Sequence, residues 1–315
     1  MIKIIIKGII YLCSVGLIIF LLNRLVPTES QPERNRINQI MINADKIESL
    51  TMGRSHAASL DYNNWDKVGA NLALGGRDFA SIKYMLDYFI TKMPKLKEVV
   101  LIASYTSFYF DNYAMSQGNL NDARKTLYYS IPSNKIIDKN DINNYFFGKY
   151  LPFIQADNGY SWFKSLLKQS ASIKLNNDNW SDSYMNEDEI KISGKIQANR
   201  DILDIKSALN FNANIFYYNK SKLCEIIELC KKRNVKLYLV IPAFHNAYSK
   251  EVPQNKIFEC KKMLNYFSIK YNIPFLDLSN DSILSNKNEF YHNADHLNQD
   301  GKIYFTEKLL KLIHK

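Results

Sequence analysis

Residues 99–103 read VVLIA, and residues 235–241 read VKLYLVI. Neither run alternates apolar with polar positions, so neither suits a sheet with one wet face. Continuous apolar runs of this length fit strands buried on both faces of a parallel sheet. Ahead of the first run, residues 79–93 carry Ile82, Met85, Leu86, Phe89 and Ile90 at helical spacing and stop at Pro94. Ahead of the second, residues 222–233 form another helix. Working outward, a strand is expected at 47–52 running into GRSHAAS, and an apolar stretch at 68–74 (VGANLAL) ends at Gly75-Gly76. A helix at 257–271, a strand at 273–278 and a closing helix at 301–313 complete the series. Such alternation predicts an α/β fold, a mostly parallel sheet with helices on both faces and ligands at the strand C-terminal ends.

Between residues 112 and 210 the alternation fails. That stretch is rich in Asn, Asp, Lys and Tyr, with apolar patches YFFGKYLPFI at 145–154 and YSWFKSLL at 160–167. It is too long for a plain loop. It reads as a helical insertion packed over the ligand-binding edge, or as a peripheral decoration.

Residues 4–22, IIIKGIIYLCSVGLIIFLL, are broken only by Lys7. A helix of that length rises roughly 28 Å, about the hydrocarbon thickness of a bilayer. A cleaved signal peptide has a shorter apolar region and ends in a small-x-small site; here NRLVPTESQ follows. Residues 1–26 are therefore expected to be an uncleaved transmembrane anchor, 27–46 a polar linker, and 47–315 one domain with its insertion. Lys3, Lys7 and the N-terminal amine favour a cytoplasmic N-terminus and an extracytoplasmic domain.

Of the 315 residues, 46% are hydrophobic and 23% charged, which excludes a disordered or fibrous chain. Four cysteines are too few for a disulfide scaffold, and Cys224, Cys230 and Cys260 lack metal-ligand spacing. The net charge of +10 suits anionic partners in general. No helix-turn-helix, zinc finger or basic–aromatic cluster accompanies it, so no nucleic-acid partner is expected. Nothing in the sequence asks for a metal or an organic cofactor.

Two segments carry candidate chemistry. Ser55 follows a strand and a glycine at the start of an expected helix, whose N-terminus would bring backbone N–H groups to an oxyanion. HNADHLNQDG, residues 292–301, lies between the last strand and the last helix. Its His296 can return over the same sheet edge, and a serine nucleophile needs such a base, itself oriented by an acceptor. Asp295 or Asn293 can supply that acceptor.

The order Gly53-x-Ser55-His56, Asn71-x-x-x-x-Gly76 and Asn293-Ala-Asp295-His296-Leu297-Asn298 resembles the SGNH/GDSL superfamily of ester hydrolases and acyltransferases. It is most similar to the membrane-anchored branch of bacterial envelope polymer acylation, beside the alginate O-acetylation and teichoic acid D-alanylation proteins. The resemblance covers residues 47–110 and 223–314. It implies a three-layer SGNH-like (flavodoxin-like) fold, Ser55 as nucleophile, His296 as base, and the N–H groups of Ser55 and Gly76 as oxyanion donors. Two positions depart from the family. Asn293 stands where the family places an Asp; Asn can orient the imidazole but not offset its charge, so either Asp295 substitutes for it or the activity is low. Ser104-Tyr105-Thr106-Ser107 replaces the oxyanion Asn, leaving Ser104 or Thr106 to donate. His245 and Tyr248, after the 235–241 strand, are expected substrate contacts, and Arg54 and Arg77 expected anion contacts. The implied activity is extracytoplasmic acyl (O-acetyl) ester transfer or hydrolysis on a carbohydrate or envelope polymer, with a membrane acyl-donor protein as partner for a transferase. A catalytically degenerate scaffold of an envelope assembly is the alternative.

If residues 4–22 stay in the membrane, the intact chain fractionates with membranes, and protease added to intact cells degrades the domain. A soluble mature form beginning beyond residue 26 would overturn that expectation.

Overall fold

The computed structural model describes residues 2–25, 31–73, 75–152 and 185–314. By internal contacts the chain forms two units, Met1–Ile37 with Leu120–Asn177, and Asn38–Asn119 with Asp178–Lys315. The expected insertion is thus divided, its last part belonging with the sheet. The 160–167 patch lies outside the described residues.

In the second unit five parallel strands form one sheet: β1 (Ser49–Gly53), β2 (Gly69–Asn71), β3 (Glu98–Ile102), β4 (Lys236–Ile241) and β5 (Phe275–Asp277). Their order is β2-β1-β3-β4-β5. The apolar runs that announce β3 and β4 occupy its centre, where Val99, Val100, Leu101, Leu239, Val240 and Ile241 are fully buried. The strand order changes direction between β1 and β3, which makes that crevice the switch point of a doubly wound sheet. With the usual right-handed crossovers, this strand order assigns helices Phe79–Phe89, Ile215–Lys232 and Gln254–Tyr271 to one face, where the first two pack together. The helix Gln299–Ile313 covers the other, packed on the 3-10 turns Ser55–Ser59 and Tyr62–Asn64.

The strands and helices fall within a few residues of expectation, with three differences. Helix Ile215–Lys232 begins earlier than residue 222, because IFYYNKSK contains no Gly or Pro to stop it. The segment expected to be a linker carries a helix, Gln31–Ile42, with Glu33 favourably placed in its first turn. Ser55 opens a five-residue 3-10 turn instead of an α-helix, so the site gains local N–H groups and no helix dipole.

The helix Glu187–Phe211 starts at an Asn186–Glu189 capping box and runs past the C-terminal edge of the sheet. Gly194 lets it approach the turn after β4. A Cβ there would stand 2.4 Å from the Ala247 carbonyl oxygen.

The first unit contains helix Ile2–Leu25 and the pair Asp122–Ser130 and Ile142–Tyr150. The apolar side chains of the first are exposed, Ile4 at 76% and Leu12 at 69%. Among the described residues it is the one helix long and apolar enough to cross a membrane. The helix pair is joined by buried polar contacts: Arg124 Nη1 lies 3.5 Å from Asp141, and the Tyr128 hydroxyl donates to the same carboxylate at 2.7 Å.

Replacing an exposed helical Gly by Ala normally stabilises a helix by about 0.5–1 kcal/mol. At residue 194 the clash with immobile backbone outweighs this, so Gly194→Ala should lower Tm by about 4 °C or more. The exposed neighbour Lys195→Ala should leave Tm nearly unchanged, and equal melting of the two variants would contradict the seating described.

Candidate active site

β1 ends against β3 at Gly53, whose φ of +154° and missing side chain both matter: a Cβ would stand 2.5 Å from the Ile102 carbonyl oxygen and 2.8 Å from Ala57 Cβ. The chain then turns into Ser55–Ser59. Asn71, at the end of β2, holds that turn: its Nδ2 donates to the carbonyls of Ala57 (2.8 Å) and Leu60 (3.0 Å). This gives Asn71 of the sequence pattern a positional role. Ser55 is left partly exposed, while His56, the next residue, is 2% exposed and points inward.

HNADHLN forms a short bulged hairpin, β6 (Tyr291–Asn293) with β7 (His296–Leu297). Asn293 pairs with His296 across it, and Ala294-Asp295 make the turn. This is why residues three apart and residues next to each other both reach the same imidazole. Asn298 caps the last helix through Gly301 N–H at 3.0 Å. The hairpin is docked from two sides: Ala294 N–H donates to Ser193 Oγ (3.1 Å), and Ala294 O accepts from His245 N–H (3.1 Å).

The structure brings Ser55, Asn293, Asp295 and His296 together. Ser55 Oγ lies 2.8 Å from His296 Nε2. His296 Nδ1 lies 2.9 Å from Asp295 Oδ1 and 3.1 Å from Asn293 Oδ1, so one N–H faces two acceptors. The second Asp295 oxygen lies 3.2 Å from His56 Nε2 and accepts from Arg200 Nη2 at 3.3 Å. Burial by itself would raise the Asp295 carboxyl; the hydrogen bonds from His296 and His56 outweigh it and hold the group ionised, well below the usual range. Burial also pushes His56 down to about 4, against the opposing pull of Asp295. His56 is therefore neutral and donates to the carboxylate.

His56, Asp295 and His296 are the one grouping of metal-type donor atoms among the described residues, all within 4.8 Å of one another. Their spacings are those of hydrogen bonds, and Asp295 accepts on both oxygens. A hydrogen-bonded chain accounts for every facing pair.

The other expected contacts fall elsewhere. Arg54 is 8% exposed and turns inward: Nη1 donates to Thr106 Oγ1 at 2.8 Å, Nη2 lies 3.7 Å from Asp201, and the guanidinium sits 3.7 Å over the Phe110 ring. Ser104 and Thr106 are 1% and 2% exposed, and both hydroxyls accept from that same arginine. Arg77 is 1% exposed. Tyr248 is fully buried, its hydroxyl donating to Asp201. His245 caps the next short turn through Ala247 N–H (3.1 Å) and stacks edge-on against Tyr291. All six expected contacts, these five side chains and Arg77, are buried. Gly76 has φ +67° in the turn after β2, at the same edge as Ser55, and its carbonyl accepts from Asn112 Nδ2.

Sequence reasoning missed His56 and Arg200 as partners of Asp295. His56 stood inside the quoted pattern without a role. Arg200 lies on the insertion helix, where no spacing ties it to residue 295.

An imidazole that stays neutral in the fold down to about pH 4 but ionises near 6.5 in the unfolded chain favours unfolding as pH drops through that window. Between pH 7 and pH 5, wild type should lose roughly 1–2 kcal/mol more stability than His56→Gln in urea unfolding. Identical pH dependence would show that His56 is not buried and neutral.

No protein-family model matches the chain, and no curated protein matches it.

Proposed function

We propose that the chain is a membrane-anchored, SGNH-like serine enzyme that transfers or hydrolyses an acyl ester, with an extracytoplasmic catalytic domain. The observation that carries this reading is the unbroken chain Ser55 Oγ, His296 Nε2 at 2.8 Å, and His296 Nδ1 to Asp295 Oδ1 at 2.9 Å. Its setting supports the reading: the nucleophile follows β1 at the switch-point crevice, where doubly wound sheets bind ligands.

Ser55 Oγ attacks the acyl carbonyl while its proton passes to His296 Nε2. The imidazolium so formed is stabilised by ionised Asp295, and Asn293 Oδ1 helps fix the ring. The tetrahedral oxyanion is met by the N–H groups of Ser55 and Gly76. Its collapse returns the proton to the departing group and leaves an acyl-serine. The same imidazole then deprotonates the acceptor, water in hydrolysis or a sugar hydroxyl in transfer, which takes the acyl group and restores Ser55. An acetyl ester of a carbohydrate or envelope polymer is the substrate class the resemblance implies. Helix Ile2–Leu25 would keep the domain beside a membrane acyl donor.

A scaffold reading has one observation in its favour. The hydroxyls expected to replace the family's oxyanion Asn are held by Arg54.

Purified full chain in detergent should be labelled by a fluorophosphonate at Ser55 and should hydrolyse a generic acetyl ester. Asp295→Asn should lower the rate at least about a hundredfold, since a neutral partner cannot offset the imidazolium charge, whereas Asn293→Ala should change it little. Wild type indistinguishable from Ser55→Ala, on generic esters and on acetylated envelope glycans, would leave the scaffold.

A further inference from the structure

Two dipeptides meet crosswise in this site. Ser55 faces His296, and His56 faces Asp295. The sharp turn after β1 sends consecutive side chains to opposite sides, the hydroxyl outward and the imidazole inward. The hairpin turn does the same for Asp295 and His296.

A carboxylate next in sequence to the histidine it must orient has two free torsions and two equivalent oxygens. Unless its second oxygen is tied, it can turn away from Nδ1. Two groups reach that oxygen. Arg200 is half exposed at 51%, so water competes for its guanidinium. His56 is 2% exposed, stacked on the His296 ring at 4.7 Å and 22°, and braced edge-on by Phe244 at 5.1 Å. It therefore has one accessible position. We propose that His56 is a positioning residue, a neutral N–H donor that ties the far oxygen of Asp295 so that the near oxygen faces His296. The proposal rests on the serine-enzyme reading above.

Neutrality matters here. A buried cation in the place of His56, which water would not screen as it screens half-exposed Arg200, would offset the carboxylate charge that the developing imidazolium needs, and would repel that imidazolium across the stack. The surroundings enforce the neutral form. His56 Nδ1 is buried and has no hydrogen-bond partner among the described residues, so a second proton would point at nothing. The charged and titratable groups around the ring are Asp295, His296, Arg54 and, on the same Asp295 oxygen, Arg200; burial, with His296 and Arg54, outweighs the carboxylate and holds His56 at about 4.

The test has a part that needs no activity. Histidine ring 15N spectra of the wild-type chain at pH 6 should show His56 neutral with its proton on Nε2; a proton on Nδ1, or a doubly protonated ring, overturns the proposal. In kinetics on a generic acetyl ester, His56→Leu should lower kcat by about tenfold or more with KM within about twofold. His56→Gln, whose amide N–H can reach the same oxygen, should recover most of that loss. Arg200→Gln removes a positive charge near the pair, so the acid limb of its rate profile should move to higher pH. A His56→Leu chain that melts like wild type with unchanged kcat, or a His56→Gln chain as impaired as His56→Leu, overturns it. Should His56→Leu fail to fold, His56→Gln and the wild-type ring spectra decide. If wild type and Ser55→Ala are equally inactive, the enzyme reading falls, whereas the ring spectra still judge the placement of His56.

Discussion

The Asp295 carboxylate is the constraint on which this site is built. It is itself fully buried, ionised, and satisfied on both oxygens, by His296 and by His56 with Arg200. A buried charge is tolerated only when hydrogen-bonded and paired. Each partner in turn is fixed by something else. His296 is held by its hairpin, His56 by its ring neighbours, and Ser55 by being next to His56. Removing the carboxylate would leave two histidines stacked with no common acceptor.

The rest of the second unit delivers the two dipeptides to each other across 241 residues of sequence. β1 and β3 lie side by side within the sheet, and Gly53 allows the chain to leave β1 hard against β3. Asn71 stitches the Ser55 turn to the neighbouring strand end. From the other side, the β4 loop and helix Glu187–Phe211 clamp the hairpin through His245, Ser193 and Arg200. The stretch with no strand–helix pattern thus supplies part of the frame around the His296 hairpin. Arg54 belongs to the same frame: with Asp201, Tyr248 and Thr106 it forms a buried polar network under the strand ends.

Much of the fold was legible because burial leaves a local signature. VVLIA and VKLYLVI, short apolar runs rich in β-branched residues, fit strands covered on both faces, and the helices between them carry apolar residues at their own period. The apolar N-terminal helix was equally plain, since its length and composition are local properties. Ser55 and His296 were legible from order and from their places at strand ends, with Asp295 and Asn293 as alternatives for one role. The structure puts both acceptors on one nitrogen, a geometry that follows from the hairpin pairing of residues 293 and 296.

What the sequence determined by itself was the alternation, the central strands and the edge of the sheet where chemistry would gather. Which polar residues at that edge stay partly exposed, and which are buried, only the tertiary structure decided. Arg54, Arg77, Ser104, Thr106, His245 and Tyr248 all stand after strand ends, as Ser55 does, yet they are buried. Direction at a strand end depends on what packs behind it, and that packing comes from the helix at 187–211 and the hairpin at 291–297, far away in the chain. His56 shows the same rule from the other side. Its place beside Ser55 is written in the sequence, but its partner Asp295 is chosen by a contact that closes 239 residues later.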